Sequence, residues 1–202
     1  MEYLVTMTTR VPDGTSDASV QDIRAREAAH SRELAAQGHL LRLWRPPLRP
    51  GEWRTLGLFA ADDGTQLESV LASMPLRVWR SDDVTPLSPH PNDPVLPTGK
   101  AGPSGGGEFL TTFALTVPDG TPGEAVDGAT AREADRARVL AEEGHLLRLW
   151  TLPGEDHSLG LWRARDTGEM EAIVESLPLN AWMLVRTTPL TPHPSDPALT
   201  NG

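Results

Sequence analysis

The chain repeats itself. Residues Arg26 to Trp44 return as Arg132 to Trp150, with Glu27, Gly38, Leu43 and Trp44 answered by Glu133, Gly144, Leu149 and Trp150. Glu2 precedes Glu108, and Trp44 precedes Trp150, by 106 positions; Gly57 precedes Gly160 by only 103. The second copy has therefore lost three residues between its second and third strands. Whatever fold the chain adopts must be complete in roughly 95 residues, enough for one modest core, and must be built twice. The repeat predicts a domain over residues 1–96, a Gly- and Pro-rich linker over 97–107, and a second domain over 108–202.

Within each copy the joint between helix and strand is the clearest local signal. An amphipathic helix runs into Gly38 or Gly144, which can take the left-handed conformation that ends a helix, and a strand follows at once. Ahead of it, Glu2 to Thr9 alternates as a strand and Val11-Pro12-Asp13-Gly14 turns the chain. Behind it the pattern predicts a strand over 53–60, a short helix over 63–73 and a strand through Val78, Trp79 and Arg80. The second copy repeats these over 158–164, 168–176 and 181–185. Strand, helix, strand, strand, helix, strand is an α+β arrangement, the ferredoxin-like split βαβ pattern with an antiparallel sheet and both helices on one face. The bare sheet face needs a cover, either the other copy in a pseudo-dimer or another chain. Each copy closes with a proline-spaced tail, Thr85 to Pro94 and Thr188 to Pro197, predicted to be extended.

One residue on the helix stands out chemically. Val20, Ile23 and Leu34 define an apolar stripe, and Glu27 falls within it; in the second copy Glu133 lies between Ala129 and Ala137 on the same kind of stripe. A carboxylate held in an apolar setting responds by raising its pKa, which suits a general base near neutral pH. The competing reading is a glutamate that reaches the edge or pairs with Arg24 or Arg26. From Glu27 to Gly38 is about 16 Å of helix at roughly 1.5 Å per residue. A return strand at roughly 3.3 Å per residue covers that distance in about five residues. If Leu41 and Leu43 pack under the helix, Arg45 emerges beside Glu27, where it would meet the charge of an enolate; the alternative is a solvated strand-end arginine. The second copy has Thr151 at that position.

Composition narrows the partners. A formal net charge of −10 argues against nucleic acid and anionic membrane surfaces, and the arginines at 42, 45, 49 and 54 fit an anionic small-molecule pocket or surface pairs. Without cysteine the chain has no disulfide, thiol nucleophile or Cys-type zinc site, which points to a cytoplasmic protein. The N-terminus lacks the features of a signal peptide, and no apolar run reaches the length of a membrane span. The six histidines show no metal-ligand spacing.

Taken together, the helix glutamates, Gly38 and Gly144, Leu43-Trp44-Arg45, Leu149-Trp150, Met74-Pro75-Leu76, Leu177-Pro178-Leu179, and the tail pairs His90-Pro91 and His193-Pro194 give each half a resemblance to muconolactone Δ-isomerase. That resemblance covers nearly all of both copies except the linker. It implies a ferredoxin-like fold, self-association through sheet faces and tails, and an allylic proton shift in a butenolide that needs no metal or cofactor. It makes Glu27, Arg45 and Glu133 the catalytic candidates. Candidates for substrate contact are His39, Arg42, Trp44, His90, His145, Trp150 and His193. Against that stand structural roles: His39 and His145 capping carbonyls at strand starts, Trp44 and Trp150 packing on the sheet, and the tail histidines on the surface. Two other functions fit the same pattern, a cyclase or cofactor-free oxygenase acting on a polyketide-like substrate in secondary metabolism, and a non-catalytic ligand-binding or assembly module.

Overall fold

The computed structural model describes residues 1–94, 106–154 and 156–199. They fall into two compact units, one comprising Met1–Leu87 with Thr191–Gly202, the other Ser88–Leu190.

In the first unit β1 (Glu2–Thr9) alternates strictly between half-exposed and buried residues, so Tyr3, Val5 and Met7 enter the core. Helix α1 (Asp17–Ala36) is opened by the Ser16 hydroxyl, which accepts the Ser19 N–H. It is closed by a Schellman motif: Gly38 takes φ +79°, its N–H bonds to the Ala35 carbonyl, and the His39 N–H bonds back to Leu34. Strands β2 (Leu40–Arg45) and β3 (Arg54–Ala60) follow, then α2 (Gly64–Ser73), capped by Asp63. The expected strand through Val78 to Arg80 is displaced. Pro75–Trp79 forms a 3-10 turn that exposes Val78, and β4 begins only at Arg80 and runs to Pro89. The first half of the predicted tail is therefore sheet. Its prolines are tolerated because β4 flanks β1 at the edge of this copy's own strand order.

That order is β4-β1-β3-β2, all antiparallel. Leu34 of α1 and Leu67, Val70 and Leu71 of α2 join Val5, Leu43 and Phe59 in one core, so both helices cover the same sheet face. The pairing of β2 with β3 slips between Leu40 and Arg42, a bulge at Leu41. Strict alternation would bury Leu41 with Leu43; instead the bulge resets the phase, and it is Leu40 and Leu43 that enter the core.

The second unit repeats the plan with β5 (Gly107–Leu115), α3 (Gly123–Glu142), β6 (Leu146–Thr151), β7 (His157–Ala164), α4 (Thr167–Glu175) and β8 (Met183–Pro192). The strand order is β8-β5-β7-β6, with the same slip between Leu146 and Arg148. As in the first copy, a 3-10 turn (Asn180–Trp182) stands where the last strand was expected to start. Gly160 lies under Trp162: a Cβ there would come within 2.3 Å of the indole Nε1, which donates to the Thr111 hydroxyl at 2.7 Å.

The compact units divide the chain differently from the repeat. Ser88 and Pro89 pair with Thr151 and Trp150 in the second unit, whereas Thr191 and Pro192 pair with Arg45 and Trp44 in the first. Each unit is thus finished by the tail of the other copy. Residues 97–105 of the predicted linker lie outside the described residues, and Gly107 already opens β5.

Candidate active site

In the first unit the tail is held by a buried clasp. Asp196, fully buried, accepts the Leu43 N–H at 3.1 Å and the Arg42 guanidinium at 3.0 to 3.3 Å. The Arg42 guanidinium in turn stacks over Trp44, 4.8 Å from the ring centroid. The Asp196 N–H bonds to the His193 carbonyl, and the His193 N–H bonds to the Leu43 carbonyl. This fixes His193 at the wall of a cavity of about 200 Å³. The second unit repeats the clasp with Asp93, Arg148 and the Leu149 N–H. There His90 lines a cavity of about 310 Å³.

Glu27 also lines the first cavity, between the buried Ile23 and Ser31 on the α1 stripe. Its side chain is 12% exposed. One oxygen accepts the Leu76 N–H at 2.8 Å, the other the Arg80 guanidinium at 3.2 Å. Burial nonetheless dominates and raises its pKa above the ordinary carboxylate value, with the Leu76 N–H and Arg80 opposing. The cation paired with Glu27 is therefore Arg80, not Arg45. Arg80 is anchored from behind by Asp82, 2.6 Å from its Nε, and Asp82 also accepts from Arg77 at 2.5 Å. Arg45 lines the same cavity with Arg24, whose guanidinium lies over Trp53 at 5.3 Å.

His193 is neutral at physiological pH. Burial, then the charges of Arg45 and Arg24, depress its pKa to about 4. Its Nδ1 accepts the Ser195 N–H at 3.1 Å, so the ring's one proton is on Nε2 and that nitrogen is a hydrogen-bond donor. His90 has the same arrangement, with Nδ1 accepting the Asn92 N–H at 3.0 Å and burial lowering its pKa.

Glu133 lines the second cavity and accepts the Leu179 N–H at 3.0 Å. Burial raises its pKa, opposed only by that bond. Of the residues anticipated at the site, Glu27, Arg45, His193, Glu133 and His90 line the cavities. His39 and His145 do not; each ring bonds a β3 or β7 carbonyl, Ala60 at 3.0 Å and Arg163 at 2.9 Å. Arg42, Trp44 and Trp150 support the clasps, with both indoles buried. Arg80 escaped the sequence reading, although its signal was present: at the 103-residue spacing Arg80 and Asp82 become Met183 and Val185, so an entire ion pair is lost in the second copy. Among the described residues no three His, Asp or Glu side chains are grouped to hold a metal ion, and no helix is long and apolar enough to cross a membrane.

A partly dry carboxylate and a neutral imidazole donor thus line one cavity on a ferredoxin-like α+β scaffold. The sequence model of the Muconolactone delta-isomerase family matches residues 1–93 and again 108–196, and the chain belongs to that isomerase family. It is 32% identical over 87 residues to Muconolactone Delta-isomerase 1 of Acinetobacter lwoffii, covering 43% of this chain and 91% of that one. With the Muconolactone Delta-isomerase of Cupriavidus pinatubonensis (strain JMP 134 / LMG 1197) it shares 33% over 92 residues, 46% of this chain and 97% of that one. Among solved structures, a mutant chlorite dismutase from Candidatus Nitrospira defluvii superposes with a TM-score of 0.60 at 12% identity, covering 95% of this chain and 91% of that one, which speaks for the fold alone.

Proposed function

We propose that the first pocket carries out a cofactor-independent allylic proton shift on a butenolide bearing a carboxylate, of which muconolactone is the type. The Glu27 carboxylate takes a proton from the ring carbon that bears the carboxymethyl arm, vinylogous to the lactone carbonyl, and the electron pair of that C–H bond moves into the ring to form a dienolate. The neutral His193 Nε2–H, with Arg45, meets the charge that develops on the carbonyl oxygen. Arg24 at the rim attracts the carboxylate arm. Glu27 then returns the proton to the carbon next to the carbonyl, so the double bond moves from the α,β to the β,γ position and nothing is gained or lost. Arg80 holds Glu27 in place and keeps its pKa from climbing further.

The observation that supports this reading is the presence of Glu27, raised in pKa by burial, in the same cavity lining as a tail histidine that is a donor at every physiological pH. The same proposal includes self-association through sheet faces, supported by the exposed Val84 of β4 and Leu184 of β8, and a cytoplasmic location, supported by the lack of cysteine. The direct test is incubation of the purified, chelator-treated chain with muconolactone without oxygen. The β,γ-unsaturated enol lactone is expected, with solvent deuterium entering the carbon next to the carbonyl; conversion that requires oxygen or an added cofactor would contradict the proposal.

A further inference from the structure

The two pockets retain the same chemical pair. Glu133 and His90 stand where Glu27 and His193 stand, each with its supporting backbone bond: the Leu179 N–H on the carboxylate, the Asn92 N–H on Nδ1 of the imidazole. What changes is the charge around the pair. The arginines lining the first cavity, Arg24, Arg45 and Arg80, are replaced at the same repeat positions by Thr130, Thr151 and Met183, all three of which line the second cavity. Among the described residues no lysine or arginine lines the second cavity, and Asp156 adds a carboxylate to it. The walls change in the same direction. Phe113 stands for Met7, Leu115 for Thr9 and Ala137 for Ser31, and the cavity grows from about 200 to about 310 Å³.

Drift after loss of function would scatter substitutions over the pocket, base and donor included. Here the base, the donor and both supporting bonds are kept, while each cation is exchanged for a neutral residue. A carboxylate-bearing ligand entering the second pocket would be desolvated against Thr130, Thr151 and Met183 where the first pocket has arginines, next to Glu133 and Asp156, which disfavours it strongly. An uncharged ligand avoids that penalty and gains from the larger apolar wall.

We propose that the second pocket is a separate acid–base site for an uncharged, more extended apolar lactone or enone, on which Glu133 moves the proton and the His90 Nε2–H receives the carbonyl oxygen. The chemistry rests on the proton-shift reading of the first pocket; the substrate class does not. The step balances as before: one C–H bond breaks, another forms on the same molecule, and the double bond shifts between them.

The experiment uses the full chain and two probes run in the same direction, the β,γ-unsaturated butenolides with a γ-pentyl arm and with the carboxymethyl arm of muconolactone. The readout is the ratio of kcat/KM for the uncharged probe to that for the charged one. Glu133→Gln should lower this ratio by about 10² to 10⁴, and Glu27→Gln should raise it by a similar factor, as expected for loss of a general base at separate sites. A ratio unmoved by Glu133→Gln, or moved alike by both substitutions, overturns the proposal. Should the parent chain isomerise neither probe, the proton-shift reading fails, and calorimetric binding of the saturated γ-pentyl lactone then decides the substrate class. Binding that weakens by roughly tenfold in Met183→Arg, because a guanidinium now occupies the apolar wall, supports it. No binding, or binding indifferent to Met183→Arg, overturns it.

Discussion

The two units place the same carboxylate and the same imidazole on the same elements, yet surround them with opposite electrostatics. Glu27 is paired with Arg80, which is itself braced by Asp82 and Arg77. Glu133 has only the Leu179 N–H against its burial. The fold therefore positions the carboxylate and the imidazole through features that are hard to lose: the helix stripe, the turn after α2 or α4, and the clasp at the tail. In the proposed reading ligand charge is set at the ends of β2 and β6, the starts of β4 and β8, and the first half of α1 and α3. Duplication permits this division, because one copy can keep the charged set while the other is freed from it.

The largest effect expected concerns the clasps. Asp196→Ala would leave the Arg42 guanidinium and the Leu43 N–H without their buried acceptor, at a cost of about 3–5 kcal/mol. Asp93→Ala should cost less, since the Asp93 and Arg148 side chains are 16% and 32% exposed against 0% and 19% for Asp196 and Arg42. Denaturant titration of the two variants checks the order, and equal losses would show that the clasps do not differ as their burial implies. Asp196→Ala should also impair turnover of muconolactone, since the same turn fixes His193.

A smaller effect tests the cations alone. Restoring charge to the second pocket with Thr151→Arg and Met183→Arg together, in a Glu27→Gln background, should tighten binding of a saturated carboxylate lactone by roughly tenfold, the worth of one charge-assisted hydrogen bond. Calorimetry reads it directly; no gain would mean that the missing arginines do not explain the difference between the pockets.

The pH dependence separates base from donor. Glu27 must be ionised to accept a proton, so kcat/KM for muconolactone should fall as pH drops through a value above the ordinary carboxylate 4.5. His193, neutral down to about pH 4, should add no limb near 6.5. A histidine-like limb would show that burial and the charges of Arg45 and Arg24 do not depress that ring.

The smallest effect is on stability. Because burial raises the pKa of Glu133, ionising it costs the folded state; the penalty is absent below the unfolded value near 4.5 and grows as pH rises through the raised folded value. Glu133→Gln should therefore raise Tm by a few degrees at neutral pH, with the gain vanishing in acid. In the first unit the gain from Glu27→Gln should be smaller, since Arg80 already compensates that charge.

The sequence disclosed those parts of this comparison that are local. The repeat, the glycine-stopped helix and the inward glutamate are all short-range patterns, and the structure has each of them. Alternation from Leu43 to Arg45 holds beyond the bulge at Leu41 and brings Arg45 to the cavity that Glu27 lines, but the cation bonded to Glu27 comes from β4. Arg80 reaches Glu27 across 53 positions from behind a 3-10 turn, a contact that no periodicity encodes. The exchange of tails between units is equally non-local: Asp196 finds Leu43 only once the chain has folded. Comparing the two copies position by position would have revealed the lost ion pair, since Arg80 and Asp82 vanish together at Met183 and Val185.

The central claim is that the half-dry glutamate of α1 moves the proton. Its most direct test is kcat/KM for muconolactone in Glu27→Gln, which keeps the shape and the acceptor for the Leu76 N–H but cannot take a proton. The account predicts a loss of about 10² to 10⁴, with the chain still folded; turnover within a few-fold of the parent would contradict it.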